Sequence, residues 1–446
     1  MARLLKQQGI GVRVARVRHR AEPSAENVHN QLRAVEVGVH IDEIDARCDN
    51  VQVLENEIII DSIVGTGLNS PLIGPMADVV RWINGSGRPV VALDVPSGLF
   101  TEDNRANDPK HIVKATLTIT FEEPKLAFFL AENADHVGDW EVVPIGLDRP
   151  FLEDQRTIHR LIERSDVIGF LRPRARFAHK GTFGHALVVA GGSGHAGAAV
   201  LATRAALRSG AGLVTTHVPG TCEPIVQVLA PEAMCSADPS DEAVTTLPKV
   251  GNFSAIGIGP GLGMAPDTAL VIKRLLQDRP APLVIDADAL NILAQEPTWL
   301  AFLPPGTILT PHPKEFDRLA GRSLGSGYER LELAREMALK NRCVVVLKGA
   351  WTAICDPLGQ VFFNPTGDPG MAKGGSGDAL TGLLTGLLAQ GYPPLPAALL
   401  GVYLHGLAGD IAAHGLGMDG MTVGDLIEAL PRAWQALRDP SEQAFQ

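Results

Sequence analysis

Short, almost wholly apolar runs recur along this chain, each closed by a polar or glycine-rich loop and followed by a helical stretch, and this alternation constrains the fold most. Residues 57–61, 89–94, 185–190, 255–259, 283–286, 307–310 and 344–348 are such runs. A strand with one wet face alternates apolar and polar residues. A strand apolar on both faces must be covered on both, which is the condition of a parallel sheet layered between helices. Parallel neighbours also need a crossover long enough to hold a helix, and the spacing between the runs supplies it. The expectation is an α/β chain whose chemistry lies in the loops beyond the carboxyl ends of its strands.

The length of 446 residues suits two or three domains of ordinary size. A proline- and charge-rich stretch over residues 148–178, with Arg149-Pro150 and Arg172-Pro173-Arg174-Ala175-Arg176, breaks the rhythm, so a domain boundary is placed between residues 1–150 and 151–446. Residues 158–171 within that stretch are expected to be helical. The chain opens on a helix over residues 2–8, stopped by Gly9, and then a strand over residues 11–17. A parallel sheet wants a strand before that helix, so the first domain is expected to be incomplete on its N-terminal side.

A net charge of -11 argues against nucleic acid and anionic membrane as partners, both of which call for a basic face. Cys48, Cys222, Cys235, Cys343 and Cys355 are scattered without metal-ligand spacing and read as reduced thiols. No signal peptide is evident, and no stretch is expected to reach the roughly 20 apolar residues of a membrane span. These features point to the cytoplasm.

The strongest local signal is Gly374-Gly375-Ser376-Gly377-Asp378, followed at once by an apolar helix. Free amides at a helix start, helped by the macrodipole, make a site for a negatively charged transferring group. Asp378 can then accept a proton from a hydroxyl held beside that anion, although an Asp there would also cap the helix. The glycine loops at residues 190–197 and 259–263 could approach an anion or simply turn the chain. His312, held between Pro311 and Pro313, is either structural or a ligand-facing imidazole. Lys348 and Thr352 follow an apolar strand and could offer an ammonium and a hydroxyl to a nucleotide.

Together these residues resemble the ribokinase-like superfamily, in which Gly-Ser-Gly-Asp opens a late helix as anion hole and catalytic Asp. Within it, His179-Lys-Gly-Thr-Phe-Gly-His185, Gly197-Ala-Ala, Arg208-Ser-Gly-Ala-Gly-Leu213, Gly259-Pro-Gly-Leu-Gly263, Asp286-Ala-Asp-Ala-Leu-Asn291, Thr310-Pro-His-Pro313, Lys348-Gly and the loop before Asp378 closely resemble the ADP- or ATP-dependent NAD(P)H-hydrate dehydratases over residues 165–436. Residues 61–71, Asp94-Val-Pro-Ser-Gly98, Thr118-Ile-Thr-Phe121 and Pro124-Lys125 resemble the NAD(P)H-hydrate epimerase domain often fused to them.

The resemblance implies an incomplete Rossmann-like N-terminal domain followed by a ribokinase-like α/β/α domain. It also implies a repair reaction, in which water is removed from NADH or NADPH hydrate (NADHX, NADPHX) with ADP consumed, AMP and phosphate released, and Mg2+ required. In that reading Asp378 is the base, and the amides of Gly375, Ser376 and Gly377 stabilise the transferring group. Lys348, Gly349, Ala350, Trp351, Thr352 and Gly377 hold the adenylate, while Ala198, Gly261, His312 and Asp378 meet the hydrate. For the epimerase-like domain it implies potassium (K+) on Asp61 and Ser97, and hydrate against Gly65, Thr66, Gly67, Leu68, Asn69, Ser70, Pro71 and Asp94. It further implies a homo-oligomer. The family's Asn-Asn-Gly-Gly-Asp-Gly type phosphate loop has no counterpart before Asp61, so epimerase activity is expected to be impaired. These loops are compatible with both ADP and ATP. A ribokinase-like small-molecule kinase, and a non-enzymatic nucleotide-binding module, stand as the rival readings.

Overall fold

Every apolar run singled out above is a strand, shifted by a residue or two at its ends. The computed structural model describes residues 1–17, 23–44, 48, 51–278 and 281–439, and the chain divides into two compact units, Met1–Gln155 and Arg156–Gln446.

In the first unit, β1 (Arg13–Val17) and β2 (His40–Ile44) form a parallel pair. A separate four-stranded parallel sheet runs in the order β3 (Ile59–Asp61), β4 (Val90–Leu93), β5 (Leu117–Phe121), β6 (Asp139–Val143). The helix Pro75–Gly85 carries the chain from β3 to β4, with proline in its first turn, where a missing N–H costs nothing. Its Ala77, Val79, Val80 and Ile83 are buried with Leu72 and Val90 in one core. Val95, Leu99, Ile112, Ala127, Phe128 and Val137 form another.

The second unit holds β7 (His159–Leu161), β8 (His185–Val189), β9 (Leu213–Val218), β10 (Met234–Ala237), β11 (Ala255–Ile258), β12 (Leu283–Ile285), β13 (Ile308–Leu309), β14 (Val344–Leu347), β15 (Ala353–Cys355) and β16 (Val361–Phe363). They make one sheet in the order β10-β9-β8-β11-β12-β13-β14-β15-β16-β7. Neighbours are parallel from β10 to β14, antiparallel from β14 to β16, and parallel again at β7. The strands after β8 go to one side and β11 starts the other, so a crevice opens beyond the carboxyl ends of β8 and β11, where open α/β sheets place ligands.

Two expectations are corrected. Residues 158–171 are not one helix: β7 pairs with β16, and a separate helix, Arg164–Ile168, starts at a capping box between Glu163 and Asp166. A sheet edge supplied from far along the chain outweighs the local pattern. The helix Pro394–Leu416 does have the length and composition to cross a membrane, but most of it is buried inside this unit as a core helix.

Its neighbour Ser376–Ala389 is buried on all sides from Ala379 to Ala389, as a helix apolar all round must be. Cys48, Cys222, Cys343 and Cys355 are buried and Cys235 is half-buried.

Candidate functional site

In the second unit the parallel strands deliver their polar loops to one rim. Asp286 follows β12 directly and is 1% exposed. Its Oδ1 accepts from Lys348 Nζ at 2.8 Å and its Oδ2 from Thr381 Oγ1 at 2.7 Å. Ala287, next in sequence, is held at φ +49°, a left-handed conformation that costs an alanine roughly 1–2 kcal/mol. Such strain survives only where the surroundings over-determine it, here between two carboxylates. Lys348 follows β14 and also stands 3.8 Å from Glu315 Oε2. Burial works against its ammonium, but the carboxylates of Asp286 and Glu315 prevail and hold its pKa above the usual value.

The helix Ser376–Ala389 begins over this pair. Gly375 has φ +97°, and a Cβ there would lie 2.5 Å from Leu201 Cδ1, so glycine is required. A Cβ on Gly377 would lie 3.1 Å from Lys348 Nζ and 3.5 Å from Asp286 Oδ2, which puts this backbone directly against the ion pair. The amides of Gly375 and Gly377 have no protein acceptor among the described residues, and that of Ser376 makes only a 3.4 Å bond to Lys373 O. Unpaired amides at a helix N-terminus, next to an ammonium, are able to receive an anion.

Asp378 lies in the first turn. Burial, and then repulsion from Asp286, Asp288 and Glu315, push its pKa up to about 6 against the opposing pull of Lys348. It is therefore a carboxylate at neutral pH, yet basic enough to take a proton.

The two upstream glycine loops close the crevice wall. Gly191 N donates to Pro260 O at 2.8 Å, and a Cβ on Gly261 would lie 3.0 Å from the Cβ of both Ala198 and His195. Ala198 and Gly261 thus share one surface.

His312 caps the helix Pro313–Leu319: its Nδ1 accepts from the amides of Lys314 and Glu315 at 3.1 and 3.3 Å. That bonding leaves the proton on Nε2, 3.4 Å from Glu315 Oε1, on a side chain 43% exposed. The segment Lys348 to Thr352 is the turn between β14 and β15, exposed at Gly349 and Ala350 and half-buried elsewhere. Thr352 Oγ1 is engaged within that turn, donating to Gly349 O at 3.0 Å and accepting from Gly349 N at 3.3 Å.

Asp286, Glu315 and Thr381 were missing from the residues expected in this site. Their signal was present for Asp286, an acidic residue closing an apolar run, and absent for Thr381, which reads as one more helix position.

In the first unit Asp61 ends β3 and is 1% exposed. Ser97 donates to it twice, from Oγ to Oδ1 at 2.6 Å and from N to Oδ2 at 2.7 Å, and Val64 N donates to Ser97 Oγ at 3.0 Å. Burial raises the Asp61 pKa. Asp94 directly follows β4 with φ +69°, and its Oδ1 lies 3.1 Å from Lys125 Nζ. A Cβ on Gly65 would come 3.7 Å from Asp94 Oδ2, so the loop of Gly65, Thr66, Gly67, Leu68, Asn69, Ser70 and Pro71, largely exposed, runs beside that carboxylate. Lys125 belongs to a motif that carries the epimerase-domain resemblance, but its place beside Asp94 follows only from β5 bringing Phe121 and the turn after it to the end of β4.

Comparison with known proteins agrees with this geometry. Residues 186–432 match the family described as NAD(P)H-hydrate dehydratase, and residues 1–127 match the YjeF-related protein N-terminus. The bifunctional NAD(P)H-hydrate repair enzyme Nnr of Moorella thermoacetica is 39% identical over 88% of this chain and 76% of its own length. That of Thermofilum pendens is 34% identical over 100% and 86%. Among solved structures, the ADP/ATP-dependent NAD(P)H-hydrate dehydratase of Bacillus subtilis, co-crystallised with ATP/Mg2+, is 33% identical with a TM-score of 0.55, covering 62% of this chain and 98% of that one. A ribokinase-like superfamily protein of Enterococcus faecalis is 28% identical with a TM-score of 0.55, covering 64% and 98%. A site of free amides, ammonium and raised carboxylate, on a chain matched at both ends in this way, leads to one conclusion: the chain belongs to the family of bifunctional NAD(P)H-hydrate repair enzymes.

Proposed function

We propose that the unit Arg156–Gln446 dehydrates (S)-NAD(P)H hydrate at the expense of ADP, releasing AMP and phosphate, with Asp378 as general base. The observation that carries this reading is the raised Asp378 carboxylate at a helix start whose Gly375 and Gly377 amides lack acceptors. Asp378 takes the proton of the ring hydroxyl as its oxygen attacks the terminal phosphorus of ADP. The bond from that phosphorus to the AMP oxygen breaks, and the amides with Lys348 stabilise charge on the phosphoryl group. The phosphate then leaves the ring carbon with a neighbouring ring proton, which restores the double bond of the reduced nicotinamide.

Gly349, Ala350, Trp351 and Thr352 would line the adenylate, and Ala198, Gly261 and His312 the hydrate. Among the described residues no group of three His, Cys, Asp or Glu is arranged to hold a metal. Magnesium would therefore be held mainly by the phosphates, whose charge it neutralises.

In the unit Met1–Gln155, Asp61, Ser97 and the carbonyl of Val64 are an oxygen-only set with a single carboxylate, which suits a monovalent ion such as potassium. Asp94, Lys125 and the loop from Gly65 to Pro71 would meet the hydrate of the epimerase reaction.

The direct test is S-NADH hydrate with ADP, with ATP, and with neither, following recovery of reduced-nicotinamide absorbance. ADP-dependent recovery is expected, with Asp378→Asn slower by at least about 100-fold but still binding nucleotide. Accumulation of a phosphorylated product without absorbance would instead identify a kinase.

A further inference from the structure

The anion loop is seated on one face of the helix Pro394–Leu416. Gly406 and Gly409 make that face bare: a Cβ on Gly406 would lie 2.2 Å from Thr366 Oγ1, and one on Gly409 2.1 Å from Met371 Sδ. Thr366 Oγ1 donates to Tyr403 O at 2.9 Å, and Gly367 N donates to both oxygens of Asp410 at 3.1 Å. Lys373 Nζ donates to the carbonyls of Met418 at 3.2 Å and Asp419 at 2.9 Å, and to that of Met421. His405 completes the series. Its Nε2 is 3.0 Å from Ser376 O and 3.5 Å from Ser376 Oγ, and the residue is only 8% exposed.

A carbonyl can only accept, so His405 Nε2 carries the proton and donates it. The peptide joining Ser376 to Gly377 is planar and trans, so its C=O and N–H point opposite ways. Holding the Ser376 oxygen therefore fixes the direction of the Gly377 N–H, the amide that abuts Lys348 and Asp286. A leucine would fill this buried position without the desolvation that an imidazole incurs, so packing alone does not account for the residue.

We propose that His405 is a positioning residue for phosphoryl transfer: its Nε2–H bond to Ser376 O keeps the Gly377 amide aimed at the transferring group. Burial holds the ring pKa down to about 4, so at neutral pH it donates this bond without adding a positive charge near Lys348. The proposal rests on the reading of Gly375 to Gly377 as the anion site.

The test compares full-length His405→Leu, His405→Gln and His405→Asn with S-NADH hydrate and ADP. Glutamine can present an amide near the place of Nε2, leucine presents no donor, and asparagine stops short. Removing a direct oxyanion donor costs about 100- to 1,000-fold in rate, and losing its support should cost less, about 10-fold in kcat for leucine. KM for ADP should stay within about twofold, and glutamine should recover most of kcat. If leucine does not fold, asparagine must still fall below glutamine. Wild-type kcat in the leucine variant, or equal impairment with and without a donor, would overturn the proposal. Asp378→Asn assayed alongside separates the failures: its inactivity beside a fully active leucine variant rejects His405 alone, and its activity rejects the site itself.

Discussion

Asp378 owes its basicity to the carboxylates around it as well as to burial, and this has consequences for rate and for stability. A base with a pKa of about 6 is protonated below that value, so kcat/KM for the S hydrate should rise about tenfold per pH unit up to about 6 and then level off. For stability the folded pKa lies above the unfolded one, so the native state binds more protons between about pH 4 and pH 6 and loses stability as pH rises through that window. At roughly 1.4 kcal/mol per unit, the ionised side chain destabilises the enzyme by up to about 3 kcal/mol at pH 8. Asp378→Asn should therefore melt above wild type at pH 8 and nearly with it at pH 4. An unchanged difference across that range would remove the electrostatic explanation. At this scale the sequence announced Asp378 and Lys348, because a glycine loop before a helix and a lysine after an apolar run are local patterns. It did not announce that Asp286 binds Lys348 and Thr381 together, since that contact depends on β12, β14 and the late helix converging. Nor did it show that His312 is a helix cap, which depends on where a helix begins rather than on which residues flank it.

The helix Ser376–Ala389 must do two things that oppose each other: bury itself on every side and hold its first turn in register with Lys348. Glycine solves the conflict. A Cβ on Gly382 would meet Ala202 O at 1.9 Å and its carbonyl carbon at 2.7 Å, and one on Gly386 would meet Ser209 Oγ at 1.9 Å. Positions four apart share a face, so both open the same groove for the helix Ala196–Arg208. Propensity alone favours Gly382→Ala by about 1 kcal/mol. Contact with rigid backbone opposes it, and overpacking of this kind costs about 1–3 kcal/mol or more. The expected outcome is a lower melting temperature and a weaker kcat, because the helix start moves away from Lys348. A variant that melts higher with kcat intact would show that the two helices can separate freely. The sequence displayed the apolar run and its glycines plainly. Which glycines were structural could not be read, because a close approach is a property of two helices and only one of them is local.

At the scale of the whole molecule, each unit has its own buried core. Val80, fully buried in the helix Pro75–Gly85, packs with Leu72, Ile83 and Val90, all from the first unit. The large core around the helices Ser376–Ala389 and Pro394–Leu416 draws only on residues of the second. Val80→Asp buries a carboxylate with no partner, a change expected to cost several kcal/mol and to unfold the first unit within the full chain. Calorimetry should then lose the transition of that unit and keep the other, and ADP-dependent dehydration of S-NADH hydrate should stay within about twofold of wild type. Simultaneous loss of both transitions and of dehydration would mean that the chain unfolds as one cooperative block, and that the two activities of this family are joined here by more than a shared polypeptide.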